Sequence, residues 1–185
     1  MKILYKKIAL MLAVILTITM IPTGTIEVRA EESSKPIISV ENKNLMVGEE
    51  VKVHVNIKNN PGVLSAVLEI SYDERLSLVN ATTGNVFSYL NLTKPGKYES
   101  PCRFMWDGQE CNEEDIKDGT ILILTFEVVG EVKYGASMGV NVSIPEGDIY
   151  DKDVKPLDVA TQNGSVAIYD YEPGDVNNDG KIMAS

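Results

Sequence analysis

Residues 62–79, GVLSAVLEISYDERLSLV, constrain the fold more than any other stretch of the chain. They follow the turn Asn60-Pro61-Gly62. Leu64, Ala66, Leu68, Ile70 and Tyr72 fall at every second position, with Ser65, Val67, Glu69 and Ser71 between them. Successive side chains of a strand point to opposite faces, so this alternation predicts a strand with one buried and one open face. A polar corner, Tyr72-Asp73-Glu74-Arg75, turns the chain into a second apolar run, Leu76-Ser77-Leu78-Val79.

The same period recurs along the chain. Val51, Val53, Val55 and Ile57 alternate with Lys52, His54, Asn56 and Lys58, which places His54, the one histidine, on a solvated face. After Asp118-Gly119-Thr120, the run ILILTFEVV predicts Leu122, Leu124, Phe126 and Val128 facing in and Ile121, Ile123, Thr125 and Glu127 facing out. Shorter strands are expected at Ile37–Val40, Cys102–Trp106, Val140–Ile144, Val154–Val159 and Asn163–Ile168. Asn80–Pro101 is weakly patterned, and the acidic stretch Gly108–Gly119 reads as a solvated loop. No long helical pattern and no repeat appears, so the expected fold is all-β, a single sandwich with jelly-roll-like topology.

The two ends read differently. Lys2, Lys6 and Lys7, the 14-residue apolar run Ile8–Ile21 and a small-residue site ending at Ala30 have the form of a secretory signal. That run is short for a membrane span, although a retained anchor is the competing reading. Export would place the protein outside the cell or at its surface. Near the other end, Asp175, Asn177, Asp179, Gly180 and Lys181 fit positions 1, 3, 5, 6 and 7 of a calcium loop. Position 12, the bidentate acid, falls one residue past Ser185, so weak Ca2+ binding is expected; a polar tail that matches by chance is the alternative. The division that follows is 1–30 signal, 31–36 tether, 37–169 sandwich, 170–173 linker and 174–185 calcium-loop fragment.

The order "NNPG-V", "Y-D-x-x-L-x-L/V", "D-G-x-L/I-x-x-L-x-F-x-V" and a closing "N-G-x-V-x-I" resembles a cohesin domain from about Ile37 to Tyr169. Cohesins are the β-sandwich receptor modules of scaffoldins, which gather dockerin-bearing enzymes into cellulosomes. The calcium-loop fragment resembles the first half-repeat of a dockerin, the calcium-dependent partner of cohesins. The resemblance implies a dockerin-binding module that receives dockerin helices on an exposed sheet. We expect the strands around residues 63–72 and 121–129 to be neighbours in that sheet, with Ser65, Val67, Glu69, Ile121, Ile123 and Thr125 facing the partner. Many cohesins carry an amide and an acid where this chain has Ser65 and Val67. The resemblance therefore does not extend to their recognition of a dockerin serine–threonine pair.

Other functions are weighed against these residues. A formal charge of −10 opposes nucleic acid and anionic membrane as partners. A carbohydrate-binding module is the alternative on the same architecture, and its platform would come from Trp106, Tyr89, Tyr98, Tyr134 and Tyr150, which show no regular spacing. Trp106 reads better as core. Catalysis lacks a candidate base, since the acids Glu113, Glu114, Asp115, Asp148, Asp151 and Asp153 lie in loops. A generic surface adhesin has no feature in its favour. Cys102 and Cys111 either bridge across Trp106-Asp107-Gly108 or remain free thiols.

Overall fold

The computed structural model describes residues 34–169, so the expected signal, the linker and the calcium loop lie outside the described residues. Twelve strands follow in order: β1 Ile37–Val40, β2 Lys43–Leu45, β3 Glu50–Lys58, β4 Val63–Tyr72, β5 Leu76–Thr83, β6 Asn91–Thr93, β7 Cys102–Asp107, β8 Gly119–Val128, β9 Ser137–Ser143, β10 Ile149–Asp151, β11 Ala160–Gln162 and β12 Gly164–Ile168. They form two sheets. One runs β11-β1-β3-β8-β5; the other runs β2-β12-β9-β4-β7-β6, with β10 also paired to β4. The chain changes sheet at most connections, so sequence neighbours are mostly not sheet neighbours. This is the expected sandwich.

Alternation decides which face of each strand enters the layer between the sheets. Val53, Val55 and Ile57 of β3, Ala66, Leu68 and Ile70 of β4, Phe104 and Trp106 of β7, and Leu122, Leu124 and Phe126 of β8 are buried there. Tyr72 of β4 meets Phe126 of β8 edge to face at 5.1 Å, joining the two sheets. Trp106 is core, as its strand position predicts: it packs edge to face on Phe87 at 5.7 Å and donates to Thr83 Oγ1 at 3.4 Å. Residues 86–90, which carry no readable period, supply Val86, Phe87 and Leu90 to the core.

Three bulges interrupt the alternation. Ile121 is the extra residue of β8 opposite Val55–Asn56 of β3. Leu64 is the extra residue of β4 opposite β10, and Val79 that of β5 opposite β8. A bulge puts two residues against one and changes which side the next residues take. Leu64, expected inside, is therefore half-exposed, and Val63 is buried in its place. Ile121, expected outside, is buried, and its carbonyl accepts the Gly84 N–H at 2.8 Å.

The expected strand Val154–Val159 does not form. Asp151 Oδ1 accepts the N–H groups of Asp153 and Lys155, each at 2.8 Å, which holds the chain in a turn there. Pro156 makes only an isolated bridge with Tyr150, and the strand begins later, at Ala160. At the corner after β4, Arg75 grips Asp73 with two side-chain bonds of 2.8 and 2.6 Å and also reaches the Ser137 carbonyl at 3.2 Å. These bonds hold the Asp73 carboxyl down at about 2.

Two tests follow from this packing. Trp106→Ala should cost about 3–5 kcal/mol in urea unfolding, whereas Met105→Ala, one residue away on the open face, should cost no more than about 0.5 kcal/mol. A depressed carboxyl contributes stability above its unfolded value and loses it as pH falls toward the folded one. Asp73→Asn should therefore lower stability at pH 7 by up to about 1 kcal/mol, the scale of an exposed pair, and the deficit should vanish between about pH 4 and pH 2.

Candidate functional site

The six residues expected to face a partner do not share a surface. β4 belongs to the β2-β12-β9-β4-β7-β6 sheet and β8 to the other, so the two strands are not neighbours. Ser65, Val67 and Glu69 lie together on the open face of β4, each half-exposed. Ile123 lies half-exposed on the opposite outer face of the sandwich, between His54 and Thr82. Ile121 is wholly buried, and Thr125 is 7 % exposed between Lys52 and Asn80. The physical reason is the crossing of the chain between sheets: β8 pairs with β3 and β5, while the true neighbours of β4 are β7 on one edge and β9 and β10 on the other.

The face around β4 is built of three rows across the strands. In the first, Tyr150 of β10, Ser65, Asp107 of β7 and Asn91 of β6 are register partners. In the second, Val67 stands beside Met105, and Met105 beside Thr93. In the third, Glu69 stands between Ser143 and Arg103. Rows two residues apart along a strand are separated by about 6.7 Å. Met105 is 43 % exposed although it is a large apolar side chain, and with Val67 it gives the face an apolar centre.

A charged clamp borders that centre. Arg103 Nη2 donates to Asp148 Oδ2 at 3.2 Å, and its Nε lies 3.5 Å from Glu69 Oε1. Asp148 sits where β9 and β10 leave a gap along the β4 edge, and its carbonyl accepts the Val67 N–H at 2.8 Å. The clamp therefore ties the loop 144–148 to the sheet at the level of Val67. Asp107 makes no ion pair among the described residues.

Arg103, Met105 and Asp107 were not among the residues expected from the sequence. Their signal was present in CRFMWD, where buried Cys102, Phe104 and Trp106 alternate with exposed partners. What was missing was the pairing of this strand with β4.

The two cysteines are free thiols. Cys102 is the register partner of Ile70, whereas Cys111 packs against Gly62, eight residues back along the β4 segment. That separation is about 26 Å, and a disulfide needs Cα atoms within about 7 Å. Burial pushes the Cys102 thiol up. Burial and the neighbouring Cys102 raise the Tyr72 phenol to about 12, and Tyr72 donates to the Tyr98 carbonyl at 2.7 Å. Burial and Cys111 likewise push Tyr89 well above its ordinary value, and its hydroxyl donates to the Val63 carbonyl.

Among the described residues, the aromatic side chains weighed for sugar binding are largely taken up by the core. Trp106 is buried, Tyr89 and Tyr98 pack against the core, and Tyr134 and Tyr150 belong to different segments. His54 pairs with Glu41 on the surface, Nδ1 to Oε2 at 3.3 Å. Among the described residues no cluster of three His, Cys, Asp or Glu side chains is placed to hold a metal.

The arrangement is that of a β-sandwich presenting a mixed apolar and charged sheet face, the form of a protein-binding module. Residues 37–168 match the cohesin domain family, and the chain belongs to it. Solved structures agree with the fold at low identity. A non-cellulosomal cohesin from the hyperthermophilic archaeon Archaeoglobus fulgidus is 23 % identical with a TM-score of 0.59, covering 73 % of this chain and 91 % of that one. The seventh ScaB type I cohesin from Pseudobacteroides cellulosolvens is 20 % identical with a TM-score of 0.63, covering 75 % and 95 %. The cohesin–dockerin complex Coh-OlpA-Doc918 from Clostridium thermocellum is 18 % identical with a TM-score of 0.62, covering 72 % and 99 %. No curated protein matches the chain significantly.

Thiol labelling checks the cysteine assignment. Cys111 should react in the native protein, Cys102 only after unfolding, and both should label without prior reduction.

Proposed function

We propose that this chain is a non-catalytic receptor for dockerin-bearing proteins, and that the dockerin docks on the open face of β4 and β7. One observation carries the placement: Val67 and Met105 stand side by side on a sheet face whose rows are otherwise polar apart from Tyr150. A helix laid on a sheet needs an apolar centre to exclude water and a polar rim to fix its orientation. Family membership supplies the class of partner, and one similar structure is itself a complex with a dockerin.

We further read residues 1–30 as an export signal and residues 174–185 as the opening of a dockerin-like repeat. Asp175, Asn177 and Asp179 would offer side-chain oxygens and Lys181 its carbonyl to Ca2+. The protein would then act outside the cell as an adaptor in a polysaccharide-degrading complex, although a cohesin need not be cellulosomal, and the similar archaeal cohesin is not. The carbohydrate-binding alternative is not favoured, because among the described residues Trp106 is buried and Tyr89 and Tyr98 pack against the core.

The test is binding of the chain to a panel of dockerins from cellulosomal and non-cellulosomal proteins, with and without Ca2+. Val67→Asp and Met105→Asp should each weaken binding by about a hundredfold, the scale of a central interface residue. Ile123→Asp, on the opposite outer face, should leave it unchanged if the thermal midpoint shows the variant folded. Binding lost with Ile123→Asp and kept with Val67→Asp would move the site to the other sheet.

A further inference from the structure

Val154 combines two features that a fold by itself disfavours. Its φ is 60°, in the left-handed region where a β-branched side chain crowds its own backbone. Among the described residues the other non-glycine residue with positive φ is Asn59, a type that tolerates it. Val154 is also 65 % exposed, more than any other large apolar side chain described. Burial therefore does not offset the strained backbone. The conformation is imposed by the residues around it. Asp151 Oδ1 accepts the N–H groups of Asp153 and Lys155, each at 2.8 Å, and the Asp151 carbonyl accepts the Val154 N–H at 3.0 Å. The Asp151 N–H donates to the Lys155 carbonyl at 2.9 Å, and a bridge between Tyr150 and Pro156 closes the base of the turn. The Lys152 N–H donates to the Gly62 carbonyl at 3.0 Å, which pins the turn to the start of β4. Glycine or asparagine would take the left-handed position of such a turn without strain. A strained residue held in place by its surroundings points to a use outside the fold.

We propose that Val154 is a contact residue for the dockerin, an apolar tip held ready at the end of the docking face. The proposal rests on the dockerin-receptor reading and extends that site beyond the sheet to the turn 151–155. The position of the turn supports it. Tyr150, at its base, stands in the first row of the face beside Ser65, and Asp151 is the register partner of Val63. Val63 lies roughly 13 Å along β4 from Val67. A helix seated on Val67 and Met105 covers that distance with about nine residues. The partner that fits carries a second apolar side chain about two to three helical turns from the one on Val67. A valine has few rotamers to lose, and the hydrogen bonds from Asp151 fix its backbone beforehand. Covering Val154 therefore removes apolar surface from water with little further ordering of the receptor.

The experiment measures thermal midpoint and dockerin affinity together, on the full chain and its Val154→Asn, Val154→Gly and Val154→Ile variants, with Val67→Asp as the reference for the sheet. Asparagine relieves the backbone and removes the apolar tip, so Val154→Asn should raise the midpoint and yet weaken binding about tenfold. Val154→Gly should weaken binding as much without lowering the midpoint. Val154→Ile keeps both the strain and the apolar tip and should bind like the unchanged chain. Opposite signs for stability and binding are what a merely structural valine would not give. If Val154→Asn and Val154→Gly bind as tightly as the unchanged chain while Val67→Asp does not, this proposal is overturned and the dockerin reading stands. A lowered midpoint for Val154→Asn and Val154→Gly also overturns it, because the valine then serves the fold. If no dockerin binds the unchanged chain, or Val67→Asp leaves binding intact, the placement of the site fails and this proposal with it.

Discussion

Everything in this molecule hangs on burying one face of β4. Ala66, Leu68 and Ile70 are fully enclosed, and the strand is paired along one edge by β7 and along the other by β9 and β10. Neither sheet can remove its own apolar face from water, so each exists only against the other. The Tyr72–Phe126 contact and the Phe87–Trp106 contact are where large side chains fill that shared layer. Interiors pack densely, so a change of one methylene at these positions is felt across both sheets. The alternation that buries Leu68 and Ile70 also leaves Val67 and Glu69 on the surface, and the core and the candidate binding face are two sides of one strand.

The bulges qualify this rule in a useful way. Extra residues at Ile121, Val79 and Leu64 bend the strands and reset which side chain points inward. On β8 the result is a bulged residue, Ile121, that leaves the outer face and joins the core. On β4 the bulge lies just before Ser65, so the row of Ser65, Val67 and Glu69 stays regular where it meets β7. The break between β9 and β10 along the same edge lets Asp148 reach Arg103, which fixes the border of the face beside Val67.

The face itself is mostly polar at its margins, Tyr150 apart, and has the apolar pair Val67 and Met105 at its centre. Its ion pairs are half in solvent, and such pairs contribute little to stability. Their effect is on shape and charge pattern: Arg103 is engaged by Glu69 and Asp148, whereas Asp107 makes no ion pair among the described residues. Specificity on such a surface comes from what is left unpaired as much as from what is matched.

The amino-acid sequence by itself determined the class of fold and the facing of most strands. The period-two runs at residues 51–57 and 66–70 bury the expected side chains, and Trp106 lies in the core as its strand position requires. It also carried the family motifs, because turn residues and alternation are local properties of the chain. Which strands lie side by side was decided only by the tertiary structure. β4 and β8 show the same alternation, yet one pairs with β7 and the other with β3 and β5. Hydrogen-bonding edges of strands are chemically alike, and their partners are chosen by how the whole apolar layer closes. For that reason Val67 was legible as a surface residue, while its neighbours Met105, Arg103 and Asp107 became visible only once the two sheets were assembled.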